Sequence, residues 1–148
     1  MKCRMIRAAA LLLTLCCSCV SRQQPESETD KPIAKVRNDR MIRVTDESNA
    51  RGGLDTLRFG RMHTGEIVVM QVWVANETTH PIVLTDYARS CGCTSLEFER
   101  QPILPGRARR MSVTFDSRGE WGWQLKRVDL HLAGMQRPLQ LLVEADVD

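Results

Sequence analysis

Two cysteines separated by one residue are the strongest candidates for chemistry in this sequence. Cys91 and Cys93 flank Gly92. Residues i and i+2 of a strand point to the same face, and glycine allows a sharp bend, so the two sulfurs can converge. A converged pair can form a bridge used in redox exchange, hold Cu(I) as two soft thiolates, or pack as small side chains at a tight bend. The residues alone leave all three interpretations open.

Two tryptophans form a second candidate site. Trp121 and Trp123 flank Gly122 in a turn-rich segment. A tryptophan at the surface offers a large apolar ring and an N–H donor, which suits contact with a protein or glycan partner. Packing of one ring over the end of the domain is the alternative.

The remaining residues with catalytic side chains form no recognisable catalytic motif. None of the three histidines has a serine, cysteine or carboxylate partner in such a motif (His63, His80 and His131). The sequence contains no GxSxG, phosphate-binding loop, GxGxxG or HExxH pattern. A structural zinc site needs four ligands, and no second cysteine pair or histidine pair has the required spacing. We therefore expect a protein that is not an enzyme and needs no cofactor.

The first eighteen residues are predicted to be a secretory signal peptide. Lys2, Arg4 and Arg7 precede an apolar run over residues 8–15, and small residues end it. This order is typical of a signal peptide. The run is too short to span a bilayer, which takes about 20 apolar residues.

The end of this segment resembles the lipobox of bacterial lipoproteins, in which the acylated cysteine follows a small residue. Cys19, which follows Ser18, is the predicted lipidation site, and Cys17, which follows Cys16, is the second candidate. Several acyl chains on one residue anchor a protein firmly to a membrane. The resemblance implies a bacterial cell-envelope protein, lipid-anchored in the outer membrane and facing the periplasm.

The positive charge of the whole chain belongs to the signal peptide. The chain has 21 Lys+Arg and 18 Asp+Glu, and residues 1–18 contain three basic residues and no acidic one. The mature chain is therefore neutral. Because nucleic-acid binding depends on an excess of basic residues, we expect no nucleic-acid partner.

Residues 19–53 are predicted to be the lipidated cysteine and a flexible linker. The segment is polar and mixed in charge, and it would hold the domain on the order of 30 Å from its anchor. A short strand over residues 41–44 is the one element expected within it.

Residues 54–148 are predicted to form an all-β domain. Apolar and polar residues alternate in about seven short segments, which favours an antiparallel β-sandwich. Turns are expected at residues 63–65 and at Pro105-Gly106. A basic cluster is expected to protect an edge strand from aggregation (Arg107, Arg109 and Arg110).

Several motifs in this domain occur in the order found in one bacterial family. They are Leu57-Arg58-Phe59-Gly60, Gly65-Glu66, Val72-Trp73-Val74-Ala75-Asn76, Ser90-Cys91-Gly92-Cys93-Thr94, Pro102-Ile103-Leu104-Pro105-Gly106 and Val113-Thr114-Phe115-Asp116-Ser117-Arg118-Gly119. Over about residues 54–147 the chain resembles the domain of unknown function 1573 family. The resemblance implies an Ig-like sandwich in a bacterial envelope and assigns no activity.

Together these observations predict a lipid-anchored envelope protein with a non-enzymatic Ig-like module for binding or structure. Its expected partners are the membrane, through the lipid, and an unidentified protein or glycan. The alternative is a periplasmic thiol-redox or Cu(I)-binding protein that uses Cys91 and Cys93.

Metabolic labelling with a fatty acid tests the predicted anchor. The parent chain should incorporate label, because the acylated cysteine is retained after cleavage. Cys19→Ala should lose the label, and Cys17→Ala should keep it. Label that persists when both cysteines are replaced would show that lipidation at these positions is wrong.

Overall fold

The computed structural model describes residues 30–32, 40–135 and 137–148. These residues form nine strands and one short helix. In chain order the elements are β1 (Asp30–Pro32), β2 (Met41–Val44), α1 (Asp46–Arg51), β3 (Gly53–Met62), β4 (Ile67–Asn76), β5 (Leu84–Arg89), β6 (Thr94–Glu97), β7 (Arg107–Asp116), β8 (Gly122–Leu132) and β9 (Leu139–Val147). In the part of the chain that is described, no helix is long and apolar enough to cross a membrane.

The strands form two sheets that pack face to face. The first, called the β4–β7 sheet, has the order β1-β7-β4-β2, with β6 also paired to β7. The second, called the β8–β9 sheet, has the order β3-β9-β8-β5. The predicted all-β sandwich is confirmed. About seven strands were predicted for residues 54–148, and seven strands, β3 to β9, are found over residues 53–147.

Two strand pairs depart from a purely antiparallel arrangement. β2 pairs with β4 in parallel, and β3 pairs with β9 in parallel. Parallel neighbours need long connections, and nearly the whole domain lies between β3 and β9 in the chain. The alternation of apolar and polar residues within a strand does not show which strand lies beside it. The sequence therefore could not show that these two pairs are parallel and not antiparallel.

The ordered domain begins earlier than predicted. Ile42 and Val44 of β2 are only 1% and 0% exposed and belong to the core. The helix α1 follows at once, and Thr45 and Ser48 cap its first turn by bonding to each other's backbone N–H. β1 lies in the predicted linker as well. The flexible linker expected over residues 19–53 is therefore wrong for residues 30–32 and 40–53. The short strand expected over residues 41–44 is confirmed.

The core consists mainly of aliphatic side chains from the inner faces of both sheets. Phe115 is its fully buried aromatic residue, and Phe59 packs on it with ring centroids 5.9 Å apart. The fully buried aliphatic side chains include Ile42, Ile82, Leu84, Ile103, Leu130, Leu141, Val44, Val72, Val74 and Val113. Burial of such side chains is the main force that holds two sheets together.

The two predicted turns are confirmed. The N–H of Glu66 donates to the carbonyl of His63, and the N–H of Arg107 donates to the carbonyl of Leu104. Gly106 has a φ of 72°, as the third residue of a type II turn requires.

The basic cluster was expected to protect an edge strand, but it lies on an interior strand. Arg107, Arg109 and Arg110 lie on β7, an interior strand that pairs with β4 along its length. Arg109 is only 6% exposed, and its guanidinium contacts Glu99 at 3.3 Å and Gln101 at 3.1 Å. The edge prediction was wrong because basic residues also occur on interior strands, and β7 pairs here with both β1 and β4.

Candidate functional site

The two cysteines lie in the loop that connects β5 to β6 and so crosses from one sheet to the other. Their sulfurs are joined in a disulfide, and their Cα atoms are 5.3 Å apart. On the β5 side, the N–H of Ser90 donates to the carbonyl of Arg127. On the β6 side, the N–H of Asp116 donates to the carbonyl of Cys93. Backbone hydrogen bonds to both sheets therefore fix the position of the disulfide, which lies in a loop and not on a strand.

The disulfide is accessible in part. Both cysteines are half-buried, Gly92 between them is exposed, and Cys93 packs against the edge of the core. The Sγ of Cys91 lies 3.7 Å from the hydroxyl of Thr94, which is buried. A thiolate from another molecule can attack such a bond. In the oxidised form the sulfurs offer no thiolate to a metal ion.

This disulfide contributes little to the stability of the fold. In the chain-entropy model, stabilisation grows with the length of the loop that a disulfide closes. The bridge joins residues two positions apart. For such a short loop the model gives about 1.6 kcal/mol, against about 3 kcal/mol for a loop of 15 residues.

Trp121 ends the exposed turn between β7 and β8, and Trp123 is the second residue of β8, where it pairs with Asp146 of β9. Trp121 and Trp123 are 66% and 63% exposed, so neither ring packs over the end of the sandwich. Below them, the buried hydroxyl of Ser117 donates to the carbonyls of His63 and Glu66, at 2.8 and 2.9 Å. The turn is thus held against the neighbouring turn while both tryptophan side chains face solvent.

An ion pair at the start of the same turn holds its backbone. The Arg118 side chain donates hydrogen bonds to both carboxylate oxygens of Asp116, at 2.9 and 3.0 Å from its Nε. These bonds, together with one from the backbone N–H of Arg118, keep the pKa of Asp116 below its usual value of 3.8. Because the carboxyl pKa is lower in the folded state, the pair stabilises the fold at neutral pH. That contribution is lost as the pH falls through the folded-state pKa.

Trp123 also lines a shallow groove on the outer face of the β8–β9 sheet, which the sequence did not reveal. The groove has a volume of about 280 Å³. Its other lining residues include Arg58, Gly60, Arg61, Glu144 and Asp146. The Gly60 position was the available signal, because a glycine inside a strand pattern often marks a bulge. The register between β3 and β9 shifts between Arg58 and Gly60.

The structure keeps the two candidate sites apart. Ser90, next to the disulfide, bonds to Arg127, which is four residues along β8 from Trp123. Four residues of strand span about 13 Å. Within the described ranges, no group of three or more histidine, cysteine, aspartate or glutamate residues is arranged to hold a metal ion. The two candidate lipidation sites, Cys17 and Cys19, lie outside the described residues.

The fold defines the class of this protein, which is a two-sheet β-sandwich built around an aliphatic core. A family model described as "Protein of unknown function (DUF1573)" matches residues 52–147, more than half of the chain. The chain belongs to this family. No curated protein has a significant sequence match to it.

Two solved structures are similar to this chain at low sequence identity. A protein of unknown function from Porphyromonas gingivalis W83 has a TM-score of 0.54 and 16% identity, covering 62% of this chain and 43% of that one. The VesB protease of Vibrio cholerae has a TM-score of 0.49 and 14% identity, covering 62% of this chain and 30% of that one. The chain thus spans less than half the length of these two proteins. The Porphyromonas likeness shows the fold alone.

Proposed function

We propose that this is a lipid-anchored cell-envelope protein whose β-sandwich is a non-enzymatic binding module. The observation that carries the proposal is the exposure of Trp121 and Trp123, which flank the first residue of β8 and are both about two-thirds exposed. Tryptophan is enriched among the residues that dominate binding energy, because one ring removes a large apolar area from water.

The way the turn before β8 is held supports a binding role. Ser117 and the Asp116–Arg118 pair already fix the backbone that carries Trp121, and Trp123 is held in β8. A partner that docks on a fixed turn does not have to order it, so less free energy is lost on binding. The inner core does not use these rings, which leaves them available to a partner.

The signal peptide and Cys19, with Cys17 as the second candidate, support the anchor in this proposal. With β1 beginning at Asp30, the tether from Cys19 is about ten residues long. Ten residues, even fully extended, span no more than about 36 Å. The module would thus act close to the membrane, on the periplasmic side of the outer membrane. Its partners are that membrane and a protein or glycan, and the neutral mature chain argues against nucleic acid.

Chemical cross-linking in cells that express the full chain tests the binding role. Trp121→Ala combined with Trp123→Ala should reduce the yield of cross-linked partner at least about tenfold, since the main apolar contact is removed. Val69→Ala is the matched control, because Val69 is an exposed apolar residue on the other sheet, and its yield should stay at the parent level. An unchanged set of partners in the double variant would contradict the role of these tryptophans.

A second function, thiol–disulfide exchange at Cys91 and Cys93, is favoured by the half-buried disulfide in the crossover loop. A dithiol reductant would attack one sulfur and form a mixed disulfide, and its second thiol would then release the chain. The chain gains two thiols, and the reductant becomes a disulfide. The reduced pair would also offer two soft thiolates to Cu(I). Since the bridge contributes little to stability, the fold would survive its reduction.

Thiol trapping on protein taken directly from the envelope tests this second function. After mild treatment with a dithiol, an active pair should be alkylated at both cysteines. In a parallel sample that is not alkylated, the pair should return to the disulfide when the dithiol is replaced by a small-molecule disulfide, which is reduced to two thiols in the exchange. Cys91→Ser with Cys93→Ser provides the unlabelled control. A pair that stays oxidised under mild reduction and binds no Cu(I) would exclude an active thiol site.

A further inference from the structure

We propose that the groove beside Trp123 binds a neutral saccharide. This inference rests on the proposed binding function and deepens it, because it assigns a ligand class to one face and separates the roles of the two tryptophans. The groove lies where β3, β9 and β8 run side by side, so three neighbouring strands contribute to it.

The concave shape of the site depends on Gly60. This residue follows the register shift in β3 and has a φ of 80°, which side chains other than glycine rarely adopt. An added Cβ at this position would meet no atom within 4 Å, so the space above the strand is open. A side-chain-free position between the outward Arg58 and Arg61 therefore leaves room for a ligand to lie against the backbone.

Trp123 provides an apolar wall for this space. The face of an indole ring carries partial negative charge and attracts groups with partial positive charge. One face of a sugar ring presents C–H groups of that kind, whereas the ring edge presents hydroxyls. Trp123 is 63% exposed, so its face is available for such stacking. Trp121 does not line the groove.

Two exposed ion pairs provide the polar part of the site. The Nε of Arg58 lies 3.3 Å from Glu144, and the Nη2 of Arg61 lies 3.8 Å from Asp146. A guanidinium has five N–H donors and a carboxylate has several acceptor positions, so pairs this loose retain capacity for a ligand. Neighbouring hydroxyls of a sugar match planar groups of this type, because each hydroxyl both donates and accepts.

The balance of charge selects a neutral ligand. The groove residues carry two positive and two negative charges, which are paired across β3 and β9. A phosphate or an acidic sugar would meet both carboxylates, and a cationic peptide would meet both guanidiniums. A neutral polyhydroxylated ligand bonds to both kinds of group without an uncompensated charge.

Titration of the full mature chain with neutral tetrasaccharides of glucose, mannose and N-acetylglucosamine tests the inference. At least one should bind with a Kd of about 0.1 to 1 mM, as expected of a shallow groove, and Trp123→Ala should weaken binding at least about tenfold. Leu54→Ala is the matched control, because Leu54 is 66% exposed on the same sheet and lies outside the groove. It should leave Kd within about twofold of the parent value.

Three results would overturn the inference: no binding of any of these sugars up to about 10 mM, binding that is preferred by acidic sugars, or equal effects of Trp123→Ala and Leu54→Ala. Cross-linking in cells with Trp123→Ala and Trp121→Ala separates this failure from failure of the broader proposal. If sugars fail but the cross-linked partner still depends on the tryptophans, the binding module stands with a protein partner. If neither depends on them, both proposals are wrong.

Discussion

The packing of aliphatic side chains between the two sheets is the interaction on which the rest of the structure depends. In the described ranges the one disulfide joins residues two positions apart and does not pin one sheet to the other. The inner faces must therefore supply the cohesion, and the fully buried residues come from β2 as well as from β4, β7, β8 and β9. Over most of their length, the long strands β4, β7, β8 and β9 commit alternate residues to this core and leave the others for the surface.

This division explains why both candidate sites can be functional without weakening the fold. The crossover from β5 to β6 is held by backbone hydrogen bonds to both sheets, so the disulfide contributes little to the stability of the fold. The turn before β8 is held by Ser117 and the Asp116–Arg118 pair, so the tryptophan rings are not needed for packing. The groove beside Trp123 uses only outward residues of the β8–β9 sheet and one glycine bulge.

Strand alternation and turn residues were enough to predict the sandwich, the seven strands from β3 to β9 and the turns at residues 63–66 and 104–107. They were not enough for features set by distant partners. The polar composition of residues 45–53 hid a capped helix beside a buried strand. The basic residues of β7 suggested an edge, although β1 and β4 pair with β7 on its two sides. The cysteine and tryptophan pairs could be identified by residue type. The groove could not, because its lining comes from three strands that meet only in the fold.

The central claim is that core residues hold the fold, whereas the cysteine and tryptophan pairs do not. The free energy of unfolding in urea, compared across three variants, tests this claim most directly. Ile42→Ala should lower the free energy of unfolding by about 2 to 5 kcal/mol, because it leaves a cavity in the core. Cys91→Ser with Cys93→Ser should lose no more than about 1.6 kcal/mol, and Trp123→Ala should stay within about 0.5 kcal/mol of the parent. A Trp123→Ala variant as unstable as Ile42→Ala would contradict the account, because the ring would then serve the fold and not a ligand.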